Sequence, residues 1–479
     1  MAQSEEAFHT GNGDRSCLRG SAALMLPPIV AASCQNLFQR ALPDCSSTSP
    51  ESDTMAEPAI AASSLAARID EAAQAIEARV IAWRRDFHAN PELGNREFRT
   101  SGIVAEHLRR LGLDEVRTGV AHTGIVGLLK GALPGPVVAL RADMDALPVA
   151  EEVDVPFASK ARTTWNAENV GVMHACGHDS HTAILMGVAE VLAGLRAQLR
   201  GSVKFIFQPA EELPPEGEEG GAKLMIEEGA LENPVPQAIF GLHVTSRLPL
   251  GVIGYRSGPT MASADSFKIT VQGRQTHGAM PWFGVDPIVT AAQVVLGMQT
   301  VVSRQVDLTR EPAVVTIGMI KGGVRENIIP DSVEMRGTIR SFDETMRDDI
   351  HERVTTLAEA ISRGSRAGCT VCIRKNYPVT VNDPKLTEAM VPTLSRVTGA
   401  DRLMLVPKVM GSEDFSFFQR VVPGLFIFLG VVPPGDDPTK VAPNHSPRFY
   451  IDERCFVLGM RALAHLSCDF LESGAPLSA

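Results

Sequence analysis

Four short apolar runs, each flowing into residues that ligate metals or carry protons, constrain this 479-residue chain more than any other feature. The run "VVAL" leads into "RADMDALP", with Asp143 and Asp145, and "VKFIF" leads into "QPAEE", with Glu211 and Glu212. "AIFGL" ends on His243, and "LFIFLG" reaches His445 after a loop. With "GIVGLL", and with the helical stretch "TAILMGVAEVLAGLRAQL" between two of them, these runs read as strands alternating with helices. That pattern predicts an α/β domain with a mostly parallel sheet. In such sheets, binding sites form beyond the carboxyl ends of the strands. A further segment, "VGVMHACGHDSHTA", sets Cys176 and His178 immediately before the helix. Residues far apart in sequence are thus placed to converge on one rim.

A different rhythm occupies residues 262–378. Strand "DSFKITVQG", helix "DPIVTAAQVVLGMQTVVSR", strands "AVVTIGMIKGG" and "SVEMRGTIRSF", helix "ETMRDDIHERVTTLAEAISRG" and strand "TVCIRKNYP" follow one another. The order β-α-β-β-α-β is the ferredoxin-like plan. The α/β pattern then resumes, so the expected architecture is a catalytic domain of 56–261 and 379–479 with 262–378 inserted. Upstream, "ARIDEAAQAIEARVIAWRRDFHANPELG" predicts a helix ending at Asn90-Pro91, and "EFRTSGIVAEHLRRLGL" predicts a second, closed by Gly112. Cys369 and Cys372 have CxxC spacing, but in a strand they point to opposite faces, which opposes a redox or zinc role for the pair.

A net charge of −11 leaves no basic surplus for phosphates, which excludes nucleic acid and anionic membranes as expected partners. No apolar run is long enough to span a bilayer. Residues 1–55 lack periodicity and read as a disordered extension of a cytoplasmic protein. The alternative is export, with residues 15–34 acting as a signal.

The chemical types at the strand ends agree with one another. Cysteine, histidine and glutamate are ligands for zinc or a similar divalent ion. Their supply exceeds what one ion takes, which suggests two ions roughly 3.5–4 Å apart, with a water made acidic enough to act as a nucleophile. Glu211 and Glu212 then divide the labour, one binding metal and the other moving the proton. Each signal alone has a plainer reading: His243 as a hydrogen-bonded core histidine, "AEE" as a solvated turn, His174 and His181 as capping and packing groups.

Taken together, "RRDFHANPELG", "RADMDALP", "MHACGHDSHTA", "FQPAEE", "GLHV", "THGAMP", "GGVRENIIPD", "RGTIRSF", "GSEDFSFF" and "NHSPRFYIDE" carry a resemblance. The chain resembles the zinc-peptidase-like amidohydrolases, which include hippurate hydrolase, N-acyl-amino-acid amidohydrolases and the plant hydrolases of auxin–amino-acid conjugates. The resemblance implies Cys176 as a bridging thiolate ligand, with His178, Glu212, His243 and His445 completing a site for two divalent ions. Zinc or manganese is expected there, with nickel or cobalt as alternatives. It implies Glu211 as general base and then general acid, and Asp145 as the partner that orients a histidine ligand.

From the insert, the resemblance implies His277 at the scissile carbonyl, reached within a homodimer or homotetramer. Asn327 and Arg340 are implied contacts to the substrate carbonyl or carboxylate, with Arg336 and Arg325 competing for that role. The insert becomes a lid and dimerisation domain. The acidic stretch "LPPEGEEGG" after "PAEE" departs from the shortest family pattern and bears on substrate size. The expected activity is hydrolysis of an N-acyl or N-aroyl amino acid to a carboxylic acid and a free amino acid. Rival readings are a dipeptidase or carboxypeptidase on the same site, a cysteine hydrolase with Cys176 as nucleophile, and a metal-binding protein without catalysis.

Overall fold

The computed structural model describes residues 64–165, 167–212 and 214–473. The extension expected over residues 1–55, and the signal alternative at 15–34, lie outside the described residues. The expected first helix ends where Asn90-Pro91 places it, with Asn90 as its cap. It forms as two pieces, Leu65–Ala75 and Glu77–Ala89, broken at Ile76. Ile69, Ala73, Ile76 and Val80, on both sides of the break, pack into the same core. Helix Phe98–Arg110 follows, and Gly112 takes the left-handed conformation just beyond it.

The expected apolar runs assemble into one eight-stranded sheet. Its order is Glu115–Val120, Gly124–Lys130, Arg200–Gln208, Leu133–Asp143, Ala238–Pro249, Gly424–Val432, Ile253–Tyr255 and Leu403–Leu405. The four middle strands run parallel. The antiparallel pairings lie toward the two edges. Strand Gly424–Val432 is buried at all nine positions, which is why it reads as continuous apolar sequence.

Side-chain alternation divides the core in two. Phe205, Phe207 and Phe240 face helices His178–Gly194 and Phe456–Ser473 on one side. Ile206, Ile239 and Phe426 face Met225, Phe415 and Phe418 on the other.

Residues 264–377 build a separate four-stranded antiparallel sheet, in the order Ala313–Gly322, Ser332–Ser341, Ala264–Gln272, Gly368–Tyr377. Helices Pro287–Thr300 and Glu344–Gly364 share its core through Val294, Met298, Ile350 and Val354. Asp286 and Asp343 cap these helices at their N-termini. Cys369 is half-buried and Cys372 exposed, as strand alternation requires. Gly258–Met261 pairs antiparallel with Thr380–Asn382, so the chain leaves for this sheet and returns from it at neighbouring points. No helix among the described residues is long and apolar enough to cross a membrane.

Candidate metal centre

The centre is assembled at the carboxyl ends of the parallel strands. Between Cys176 and His178 the chain must turn sharply into its helix. Gly177 does so at φ +95°, and a Cβ there would stand 2.4 Å from Val244 Cγ2, so only glycine fits. His445 also adopts a left-handed backbone, at φ +70°. It is held there by its N–H donating to Ala175 O at 2.8 Å, while Asn444 Nδ2 donates to Cys176 O and Val244 O at 3.2 Å. Strain of this kind persists where surrounding contacts fix it.

These constraints bring the five expected ligands together. Cys176 Sγ lies 3.3 Å from His243 Nε2 and 3.2 Å from His445 Nε2. His445 Nε2 lies 2.9 Å from Glu212 Oε1. The ligand atoms of Cys176, His178 and His243 all fall within 4.8 Å of one another, as do those of Cys176, Glu212 and His445. The thiol is common to both sets. A third set joins His178 to Glu211 and Glu212.

Hydrogen bonds fix which nitrogen each histidine offers. His178 Nδ1 donates to Asp145 Oδ1, leaving Nε2 buried with no hydrogen-bond partner among the described residues. His243 Nδ1 donates to Val244 O at 2.7 Å, which turns the Nε2 lone pair toward Cys176. An orphaned, buried imidazole nitrogen facing a thiol and carboxylates is costly as it stands. Nitrogen, sulfur and oxygen donors in this grouping fit a divalent cation of the zinc type.

The electrostatics carry the same message. Burial opposes charge on His178, yet Asp143, Asp145 and Glu212 outweigh it and raise its pKa to about 10. Burial, helped by His181, holds His243 neutral, the form that can ligate. Burial and then Glu212 and Glu211 push the Cys176 thiol well above its usual range. Carboxylates around the thiol are the reverse of the electropositive setting that activates a nucleophilic cysteine. Burial, with Glu413, Glu212 and Asp414 nearby, raises the Glu211 carboxyl well above the ordinary carboxylate range.

Several contributors carried no assignment in the sequence reading. Arg141 is fully buried and ion-paired with Asp143 at 2.6 Å, Glu413 at 2.9 Å and Asp414 at 2.8 Å. Asp414 also accepts from Gln208 Nε2 at 2.7 Å and from Ala222 N–H at 2.8 Å, while its own N–H donates to Glu211 Oε1 at 3.3 Å. The Tyr377 hydroxyl donates to Glu211 O at 2.5 Å. The stretch "GSEDFSFF" was the available signal for Glu413 and Asp414. His181 packs as expected: its Nδ1 donates to Asp143 Oδ1 at 2.6 Å and its Nε2 accepts from Val244 N–H at 2.9 Å.

His277, Asn327 and Arg340 form no hydrogen bond or ion pair with this cluster among the described residues. His277 is exposed on a two-stranded ribbon, opposite Ile328. Gly278 N–H donates to Asn327 O at 2.8 Å, so His277 and Asn327 are neighbours. His277 Nδ1 accepts from Ala279 N–H, which leaves the proton on Nε2. Arg340 carries a buried, unpartnered Nη1, whereas Arg336 is already bonded to Glu334.

The family model described as peptidase family M20/M25/M40 matches residues 139–468. Thermostable carboxypeptidase 2 of Saccharolobus solfataricus is 42% identical over 397 residues, covering 82% of this chain and 96% of its own. IAA-amino acid hydrolase ILR1-like 2 of Arabidopsis thaliana is 38% identical over 394 residues, covering 82% of this chain and 85% of its own. The crystal structure of the Bacillus subtilis YXEP protein, titled a dinuclear metal binding peptidase from the M20 family, aligns with a TM-score of 0.69 at 34% identity. The alignment covers 83% of this chain and 99% of that one. The chain belongs to peptidase family M20/M25/M40 and is an enzyme that hydrolyses amide bonds.

Proposed function

We propose that the chain is a metal-dependent amidohydrolase that cleaves N-acyl or N-aroyl amino acids, with Cys176, His178, Glu212, His243 and His445 holding two divalent ions. The observation that carries this reading is the Cys176 thiol shared by two ligand sets, with Glu211 beside them. The dinuclear relative and the hydrolase of IAA–amino acid conjugates support it.

When bound, such ions polarise a carbonyl and lower the pKa of water. The protein supplies the rest. Glu211 Oε2 lies 3.9 Å from His178 Nε2, and its carboxyl accepts from Asp414 N–H. It takes a proton from the attacking water and returns it to the leaving nitrogen, a transfer suited to a carboxyl of raised pKa. Asp145 orients His178 and anchors Glu212 through its backbone N–H.

Residues 262–378 act as the ferredoxin-like lid and dimerisation domain. The exposed Ile288, Val289 and Leu296 on its helix and Ile320 on its edge strand suit a contact with a second copy. Within that dimer the Nε2–H of His277 donates to the developing oxyanion. Asn327 contacts the substrate, and Arg340 offers its free Nη1 to the substrate carboxylate.

The carboxypeptidase relative favours a second reading, in which the same site cleaves peptides. Hydrolysis of hippurate and N-acetyl-amino acids against dipeptides, after chelation and resupply of single metals, separates the two. Activity lost on chelation and restored at about two metals per chain supports the proposal. Preference for dipeptides replaces it with the second reading, and activity indifferent to chelation sinks both.

A further inference from the structure

Glu97 begins helix Phe98–Arg110 but makes no side-chain cap bond to it. Its carboxyl is fully buried and turns inward. There Oε1 accepts from Ala210 N–H at 2.9 Å, and Oε2 accepts from the Thr123 hydroxyl at 2.6 Å. Burial, with Asp145 as the lesser cause, raises the carboxyl from 4.5 to about 8. A buried carboxyl is tolerated only where hydrogen bonds hold it, and here one of those bonds leads to the centre.

Ala210 precedes Glu211, and Pro209 joins it to strand Arg200–Gln208. Its backbone stands at φ +51°, in the left-handed region that a Cβ disfavours. Such a turn persists only where its surroundings fix it. The peptide groups that follow are fixed as well: the Tyr377 hydroxyl donates to Glu211 O, and Glu212 N–H donates to Asp145 Oδ2. The Glu97 bond grips the strained residue itself. Without it, Ala210 is free to relax about φ and to carry the Glu211 carboxyl off its place. A displacement of about 1 Å at such a group costs on the order of 100-fold in rate.

We infer, on the assignment of Glu211 as the proton carrier, that Glu97 is a positioning residue for the reaction: it locks the Ala210 turn and thereby fixes where the Glu211 carboxyl stands. This holds for whichever amide the site takes.

The test uses the full metal-loaded chain and whichever of hippurate, N-acetylalanine and a dipeptide the wild type turns over fastest. Glu97→Ala removes the acceptor. Glu97→Gln keeps an acceptor for Ala210 N–H and offers Thr123 a donor. The expected result for Glu97→Ala is a fall in kcat of about 30- to 100-fold, with KM and bound metal within about twofold of wild type. Glu97→Gln should return kcat to within about threefold. In the Glu211→Gln chain, adding Glu97→Ala should cost less than about twofold more, because residues acting as a unit are not additive. An unchanged kcat in Glu97→Ala overturns the inference. So does a loss carried by KM or bound metal, a failure of glutamine to rescue, or a full further loss in the Glu211→Gln chain. Should Glu97→Ala fail to fold, Thr123→Val, which only releases Oε2, takes its place. Its kcat should fall about fivefold, and an unchanged kcat overturns the inference.

Failure of the functional reading shows separately. If Glu211→Gln keeps its turnover, or no amide is hydrolysed, hydrogen exchange at the Ala210 amide decides. Exchange at least about tenfold faster in Glu97→Ala than in wild type retains the lock on the turn; equal exchange removes it.

Discussion

His178 Nδ1 donates to Asp145 Oδ1 at 3.0 Å, while the other oxygen of the same carboxylate accepts from the Glu212 N–H at 2.9 Å. One buried side chain therefore orients two of the five candidate ligands, each from a different element of the fold.

Asp145→Asn should lower metal affinity by about 10- to 100-fold, the usual cost of losing such an orienting partner. Competition against a chromogenic chelator measures it. An unchanged affinity would show that His178 holds its orientation without the carboxylate.

Glu211→Gln should keep its metals and lose turnover by about 10²- to 10⁴-fold, since the amide cannot carry the proton. Metal analysis and hippurate hydrolysis on one preparation check both halves. Turnover within threefold of wild type would remove Glu211 from the role of base.

Arg141→Met leaves Asp143, Glu413 and Asp414 without their buried cation. Breaking a buried network in this way costs about 3–5 kcal/mol, readable in the denaturation midpoint. Burial sets the Asp414 carboxyl high, Arg141 draws it down and Glu413 pushes it up, to about 8 against an ordinary 3.8. A carboxyl whose folded pKa is raised contributes fully below its unfolded pKa and loses that contribution as pH climbs through the folded value. The variant should therefore recover stability as pH falls from 8, before general acid unfolding begins. A midpoint equal to wild type at pH 8 would contradict the pairing.

His107, whose ring bonds to the helix that begins at His178, supplies a test independent of metal binding. Burial, with lesser effects from Arg110 and Arg79, lowers its pKa to about 4 from 6.5, and its ring bonds to Met186 O at 3.1 Å. A histidine kept neutral by folding destabilises the protein as pH falls from 6.5 toward 4, because the unfolded chain takes up the proton first. The full difference is roughly 3 kcal/mol. His107→Gln, which keeps a donor for Met186, should show a flatter fall over that window. Parallel curves for the two proteins would remove His107 as the cause.

The sequence exposed the parts of the centre that obey one-dimensional rules. Strand ends followed by polar clusters located Asp145, Glu211, Glu212 and His243, because a parallel sheet gathers its carboxyl ends on one side. Arg141 escaped notice because its partners Glu413 and Asp414 lie more than 270 residues away, and nothing local marks a buried arginine. Tyr377 escaped for a similar reason: its bond to Glu211 O joins the four-stranded sheet to the loop after "VKFIF". The antiparallel pairings toward the sheet edges also left no trace, since a strand's apolar pattern does not record the direction of its neighbour.

The pairing of Gly258–Met261 with Thr380–Asn382 places Met261 opposite Thr380. Everything between them is, topologically, one very long hairpin loop hung on a two-stranded stem. Each doubling of loop length adds only about 0.6 kcal/mol of closure entropy. The stem thus lets the intervening segment grow or shrink at little closure cost, while Tyr377, whose hydroxyl donates to Glu211 O, keeps it tied to the centre.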